Sequence, residues 1–186
     1  MVEVVITLPA GLFYNTKIPC CIWVINKSFL HNPFLPDSFS AFVDVSKDEI
    51  QKYDIKCGDI LLNRTSETIK QLACCSVAST DCCAVYGNYV KRLRPKKEGV
   101  VNPLYMAGYF SSAIYRREVE RVSPVYTTRA NMNVERLSVI SIYYPNLEMQ
   151  NKIGSTLFYV YQFQKRSQDK ELNELLDEFI KMLIVL

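Results

Sequence analysis

The segment from Lys56 to Pro95, KCGDILLNRTSETIKQLACCSVASTDCCAVYGNYVKRLRP, constrains the fold most. An apolar run, Ile60-Leu61-Leu62, follows the Gly58-Asp59 turn and stops at six consecutive polar residues, Asn63-Arg64-Thr65-Ser66-Glu67-Thr68. A short apolar run bounded in this way predicts a strand that opens into a polar loop. Every side chain of that loop can hydrogen-bond, so the loop suits contact with polar edges. A further strand ends in Arg92 and Arg94, which flank Leu93. Alternation along a strand sends both guanidinium groups out of the same face.

At 186 residues, 49% hydrophobic and 22% charged, the chain can bury one core and is not disordered by composition. Its net charge of +3 is a weak field, so the distribution of charge carries more information. Lys91, Arg92, Arg94, Lys96 and Lys97 place five cations in seven positions, and Arg116, Arg117, Arg121 and Arg129 form a second basic region. The N-terminus lacks the basic and apolar pattern of a secretory leader, and no run of about eighteen apolar residues occurs. These features predict a cytoplasmic protein with no membrane contact. Seven cysteines include the adjacent pairs 20/21, 74/75 and 82/83. Strand neighbours face opposite ways, so adjacent pairs do not present two sulfurs to one zinc ion, and they are expected to serve as small buried side chains. No metal or other cofactor is expected.

Three stretches differ in character. Residues 1–27 read as two strands, Val2–Leu8 and Cys20–Ile25, apolar on both faces. Residues 28–145 read as a mixed domain. A short strand at Phe42–Val45 precedes a helix that begins with the capping pattern Ser46 to Glu49 and ends near Tyr53. The strands described above follow. Asn102-Pro103 then caps a helix whose apolar residues Leu104, Ala107, Phe110 and Ile114 give way to Glu118 after about three turns, and whose polar side carries Arg116, Arg117 and Arg121. Residues 146–186 contain two apolar groups separated by the polar stretch Gln164 to Glu171. A continuous helix there would be about 60 Å long, and would project and pair. The predicted class is α+β, a single mixed domain followed by a long C-terminal helix.

The segment GDILLNRTSE, with its basic RLRP exit, resembles the target-recognition domain of type I restriction-modification DNA specificity subunits. Two further segments agree: Thr128-Arg129-Ala130-Asn131-Met132-Asn133 resembles the T-R-x-N-x-N element of these domains, and the P-x-L-E-x-Q-x-K-I sequence from Pro145 resembles the start of their spacer helix. Residues 1–27, with LFYNTKIP and C-x-W-x-x-NK, resemble a fragment of the methyltransferase subunit of the same systems. The Gly-rich loop and Asn-Pro-Pro-aromatic motif that methyl transfer needs are missing. Asn32-Pro33-Phe34 lacks the second proline. The resemblance implies a half-length, non-catalytic specificity subunit. It would bind double-stranded DNA, direct methyltransferase and restriction subunits to a target site, and form a homodimer or pair with another half-subunit. A truncated or recombined fragment, acting only as an assembly or decoy module through its C-terminal helix, is the alternative.

Recognition of DNA divides into contacts that position the protein on phosphates and contacts that read base edges. Arg92, Arg94 and Lys96 are candidates for the first. For the second, Arg64 can pair with guanine, Asn63 with adenine, and Glu67 can accept from cytosine, with Thr65 and Ser66 beside them. The competing reading is a self-contained turn in which Thr65 and Ser66 bond their own backbone and Arg64 pairs with Glu67. The resemblance adds Arg129, Asn131 and Asn133. Asp37 with Asp54-Ile55-Lys56 also fits the loose pattern of a magnesium nuclease, although Lys56 leads directly into the Gly58-Asp59 turn.

Overall fold

The computed structural model describes residues 2–8, 20–25, 32–36, 47–87, 89–97, 99–123 and 130–185. Strands β1 (Val2–Leu8) and β2 (Cys20–Ile25) form where the apolar runs predict them and pair antiparallel, from Leu8↔Cys20 to Val2↔Ile25. Helix α1 (Lys47–Tyr53) ends at the expected residue. The expected strand at Phe42–Val45 and the Ser46 cap lie outside the described residues. The chain then gives β3 (Asp54–Ile55), β4 (Ile60–Asn63), β5 (Thr65–Ser66), a 3-10 turn (Ile69–Gln71), β6 (Cys75–Val77), β7 (Cys82–Val85) and β8 (Val90–Leu93). Strand β4 is central, antiparallel to β6 on one edge and β8 on the other, and β3 pairs with β7.

All of β4 is buried because both of its faces are covered, which is why it reads as an uninterrupted apolar run. Ile60 and Leu62 join the main core, and Leu61 joins a smaller one with Leu35, Ile55 and Ala78. The main core is completed by helices α2 (Pro103–Ser111), α3 (Ala113–Val122), α5 (Leu147–Arg166) and α6 (Lys170–Val185), with β9 (Ala130–Asn131) and the short α4 (Val134–Ser138) between α3 and α5. Cys75 lies in this core, where burial pushes its thiol up to about 12. No helix of the described residues is long and apolar enough to cross a membrane.

Asn102 caps α2 as its position predicts, accepting hydrogen bonds from the Leu104 and Tyr105 amides. The single helix expected after it is instead two. Ser112 adopts extended backbone, accepts from the Tyr115 amide as the cap of α3 and donates to the Tyr109 carbonyl. A buried serine that satisfies both helix ends ends α2 and starts α3 at no hydrogen-bonding cost.

The C-terminal region is also two helices, so the continuous 60 Å rod does not form. The Asp169 side chain caps α6 by accepting from the Leu172 amide, and Ser167 Oγ accepts from the Asp169 amide within the turn. Helix α6 folds back beside α5, where Gln164 Nε2 donates to Asp177 Oδ1 at 2.8 Å, and Ile184 returns to the core over Gly108 of α2. At the root of α5, the buried Gln150 accepts from the Asn102 amide at 2.9 Å and donates to the Pro145 carbonyl at 2.8 Å. This one side chain joins the starts of α2 and α5.

An ion-pair cluster ties β3 and the following turn to β8. Arg94 grips the fully buried Asp59 with two parallel hydrogen bonds, Nε to Oδ1 and Nη2 to Oδ2, both 2.6 Å. Arg92 Nη1 donates to the Asp54 carboxylate, and its guanidinium lies 5.3 Å from the Tyr86 ring centre. Arg94 Nη2 and Lys56 Nζ also approach Asp54, at 3.4 and 3.5 Å. Burial alone would raise the Asp54 carboxyl, but the Arg92 hydrogen bond and the charges of Arg94 and Lys56 outweigh it and hold the group below its ordinary 3.8. The Asp59 bond raises Arg94 in turn.

Two outcomes follow from this packing. A Cβ on Gly154 would lie 2.6 Å from the Tyr105 amide nitrogen and 2.9 Å from Asn102 Oδ1, atoms fixed by the α2 cap. Gly154→Ala should therefore destabilise by about 1–3 kcal/mol in urea titration, although alanine favours a helix by about 1 kcal/mol. The lowered Asp54 carboxyl contributes stability that is complete above about 3.8 and is lost as pH falls through its lower folded value. Acid unfolding of Asp54→Asn should start from a lower stability at neutral pH and show a shallower decline below that point.

Candidate nucleic-acid interface

The polar loop after β4 is built by backbone pairing on both sides of Arg64. The Arg64 amide donates to the Tyr89 carbonyl and its own carbonyl accepts from the Met132 amide, both at 2.8 Å. One residue later β5 pairs with β9, Thr65 opposite Asn131 and Ser66 opposite Ala130. Three segments far apart in sequence, the β4–β5 loop, the turn between β7 and β8, and the strand at Asn131, thus converge on one place. The two sets of residues that the sequence offered for base reading become neighbours here.

Within this cluster the candidates have different fates. Asn63 is buried, and its Nδ2 donates to the Gln71 carbonyl at 2.9 Å. Ser66 is buried too, and its hydroxyl accepts from the Thr68 amide. Both hold the loop in shape, as the self-contained-turn reading expects of Ser66. Thr65 is half-buried, while Glu67 and Asn131 are exposed. Asn133 caps α4 by accepting from the Arg136 amide at 2.9 Å. Arg129 lies outside the described residues.

Among the described residues, Arg64 differs from the other arginines near the cluster. It is half-buried, its Nε is shielded from solvent without a hydrogen-bond partner, and among the described residues its guanidinium meets no carboxylate, Glu67 included. Arg92 and Arg94 leave one face of β8 as alternation predicts, and there they meet Asp54 and Asp59. Arg116 also has shielded nitrogens without hydrogen bonds, but its Nη1 donates to the Leu72 and Lys70 carbonyls and Glu120 stands 3.8 Å away. Arg121 is held by Glu118 and the Val139 carbonyl. Lys96 and Lys97 are exposed and have no carboxylate partner among the described residues.

The nuclease pattern finds no opening at Asp54. Three cations already surround that carboxylate, Lys56 is one of them, and Asp37 lies outside the described residues. A buried magnesium ligand set would need carboxylate oxygens facing a cavity, not guanidinium groups.

Sequence reasoning missed Tyr89. It stands in the turn between β7 and β8, which is closed by the Val90 amide on the Gly87 carbonyl, and it is 56% exposed. The Gly87-Asn88 pair between two strands signalled the turn, but nothing local signalled that the turn would abut Arg64.

Comparison with curated proteins finds no match. A family comparison matches the type I restriction modification DNA specificity domain over residues 15–177, which takes in the β4–β5 loop, the turn between β7 and β8, the Asn131 strand and most of the helical hairpin. The chain belongs to the type I restriction-modification DNA specificity family.

Proposed function

We propose that this chain is a half-length specificity subunit whose residues 28–145 select a DNA sequence for partner methyltransferase and restriction subunits, without making or breaking a bond themselves. In this reading residues 1–27 are a methyltransferase-like leader, residues 146–186 form the pairing element, and the protein works in the cytoplasm. Membership of the specificity family supports DNA recognition. The observation that carries the reading is Arg64, a guanidinium that meets no carboxylate among the described residues and stands on a rigidly paired backbone. The shielded Nε fixes nothing outside the protein, and a base edge would be met by the outer Nη1 and Nη2 donors, which carry no hydrogen bond to the described residues. Guanine O6 and N7 offer the two-acceptor edge that a guanidinium fits. Thr65, Glu67 and Asn131 complete the reading surface, and Lys96 with its neighbour Lys97 contacts phosphate. Arg92 and Arg94, already balanced by carboxylates, hold β8 in position and add charge at the rim.

The test is selection of bound duplexes from a randomised pool, followed by titration. Arg64→Ala should cost about 1–3 kcal/mol on the selected site and relax one position, with little change on random DNA. Lys96→Ala plus Lys97→Ala should weaken all sequences alike and reduce the salt slope by about 2. Equal losses on selected and random DNA in Arg64→Ala would reduce that residue to a phosphate contact.

The assembly-only reading draws on a different observation. Leu175, Phe179 and Met182 form an exposed apolar stripe on α6, and Tyr159 and Phe163 are exposed on α5. A stripe of this kind calls for a partner surface, which suits pairing with a second half-subunit. Sedimentation of Leu175→Asp plus Phe179→Asp should show a shift to monomer, while DNA selection by the wild type separates a reader from a module that only assembles.

A further inference from the structure

We propose that Tyr89 is a specificity-determining residue whose ring contacts the 5-methyl group of a thymine next to the base read by Arg64; this rests on the DNA-reading function proposed above. Among the described residues from 54 to 97, Tyr89 is the one large apolar side chain left exposed. Ile55, Ile60, Leu61, Leu62, Leu72 and Val77 of this stretch are buried in the two cores. Its backbone is not loose. The Tyr89 carbonyl accepts from the Arg64 amide at 2.8 Å, and Val90 immediately after it pairs with Asn63 in the β4–β8 ladder. The two residues are therefore held side by side at the end of the β4–β8 ladder, and Tyr89 cannot move away from Arg64 without breaking that hydrogen bond.

An aromatic ring fixed at the rim of a polar cluster costs little conformational entropy when it docks, because only its own side-chain torsions remain to be ordered. Beside a guanine-reading arginine, the apolar group that a major groove presents is the thymine methyl. The phenol hydroxyl could serve a phosphate instead, but such a contact would carry no sequence information. Tyr89 is the only aromatic in this position among the described residues of the cluster. The exposed aromatics Tyr159 and Phe163 belong to α5.

The full chain and its Tyr89→Ala and Tyr89→Phe variants would each be used to select duplexes from a randomised pool. Tyr89→Ala keeps the carbonyl that Arg64 requires, so the fold and the Arg64 position should persist, with an unchanged unfolding temperature as the control. It should bind the wild-type site roughly tenfold more weakly and lose a preference for thymine at one position, while Tyr89→Phe keeps both. Replacing that thymine with deoxyuridine, which lacks only the methyl group, should weaken the wild type and leave Tyr89→Ala unaffected. An unchanged consensus in Tyr89→Ala overturns the inference, as does relaxation at a position without thymine. A loss shared by Tyr89→Phe and spread over all sequences assigns the contact to phosphate and also overturns it. A wild type that selects no sequence would instead remove the reading function on which the inference rests.

Discussion

The hydrogen-bond ladder of β4 sets the position of Arg64 and Tyr89, around which the candidate interface is built. Both edges of the strand are paired, and the pairing runs on through Arg64, whose amide and carbonyl are taken by Tyr89 and Met132. A polar loop of six residues left to itself would satisfy its side chains on its own backbone. Here the backbone is already occupied, so Arg64, Glu67 and Asn131 keep side-chain capacity for a partner. A site held on paired strands is also more exact in position than one on an open loop.

Burial sorts the arginines that the sequence presents as equivalent. Asp59 is fully buried, and a buried carboxylate is tolerable only with a close counter-ion and further hydrogen bonds. Arg94 supplies the charge and the Lys56 amide supplies another bond at 2.7 Å. Once Asp54 and Asp59 have drawn in Arg92 and Arg94, the basic exit of β8 is a strut as much as a surface. Among the described residues no carboxylate stands beside Arg64, which leaves that cation poised, in an otherwise similar residue type.

The elements that were legible in the sequence are those set by local periodicity. The Ile60-Leu61-Leu62 run, the two N-terminal strands, the Asn102-Pro103 cap and the helix ending at Tyr53 all depend on neighbours a few residues away. What was not legible depends on distant partners. Ser111-Ser112 reads as tolerable inside a helix, and it becomes a break because Ser112 can bridge Tyr109 and Tyr115 within the core. The polar stretch from Gln164 to Glu171 was visible as an interruption, but folding back rather than continuing is decided by Ile184 meeting the space above Gly108. The Arg92–Asp54 and Arg94–Asp59 pairs span more than thirty residues, and Thr65–Asn131 spans more than sixty, so no spacing rule reveals them.

These pairings bear on how a reader of this kind discriminates. Non-specific affinity for DNA comes from cations that displace counter-ions, and specific affinity comes from contacts to base edges. In the basic run only Lys91, Lys96 and Lys97 lack a carboxylate partner among the described residues, and Arg116 and Arg121 of the second region are held by carbonyls and glutamates. The sequence-independent attraction is thereby reduced, while the groups suited to base edges, Arg64 and Asn131 above all, have no side-chain hydrogen bond to the described residues. Since cations that meet phosphate strengthen binding to every sequence alike, internal neutralisation of the basic strand lowers overall affinity without changing the ratio of specific to non-specific binding, and that ratio is left to the contacts with base edges.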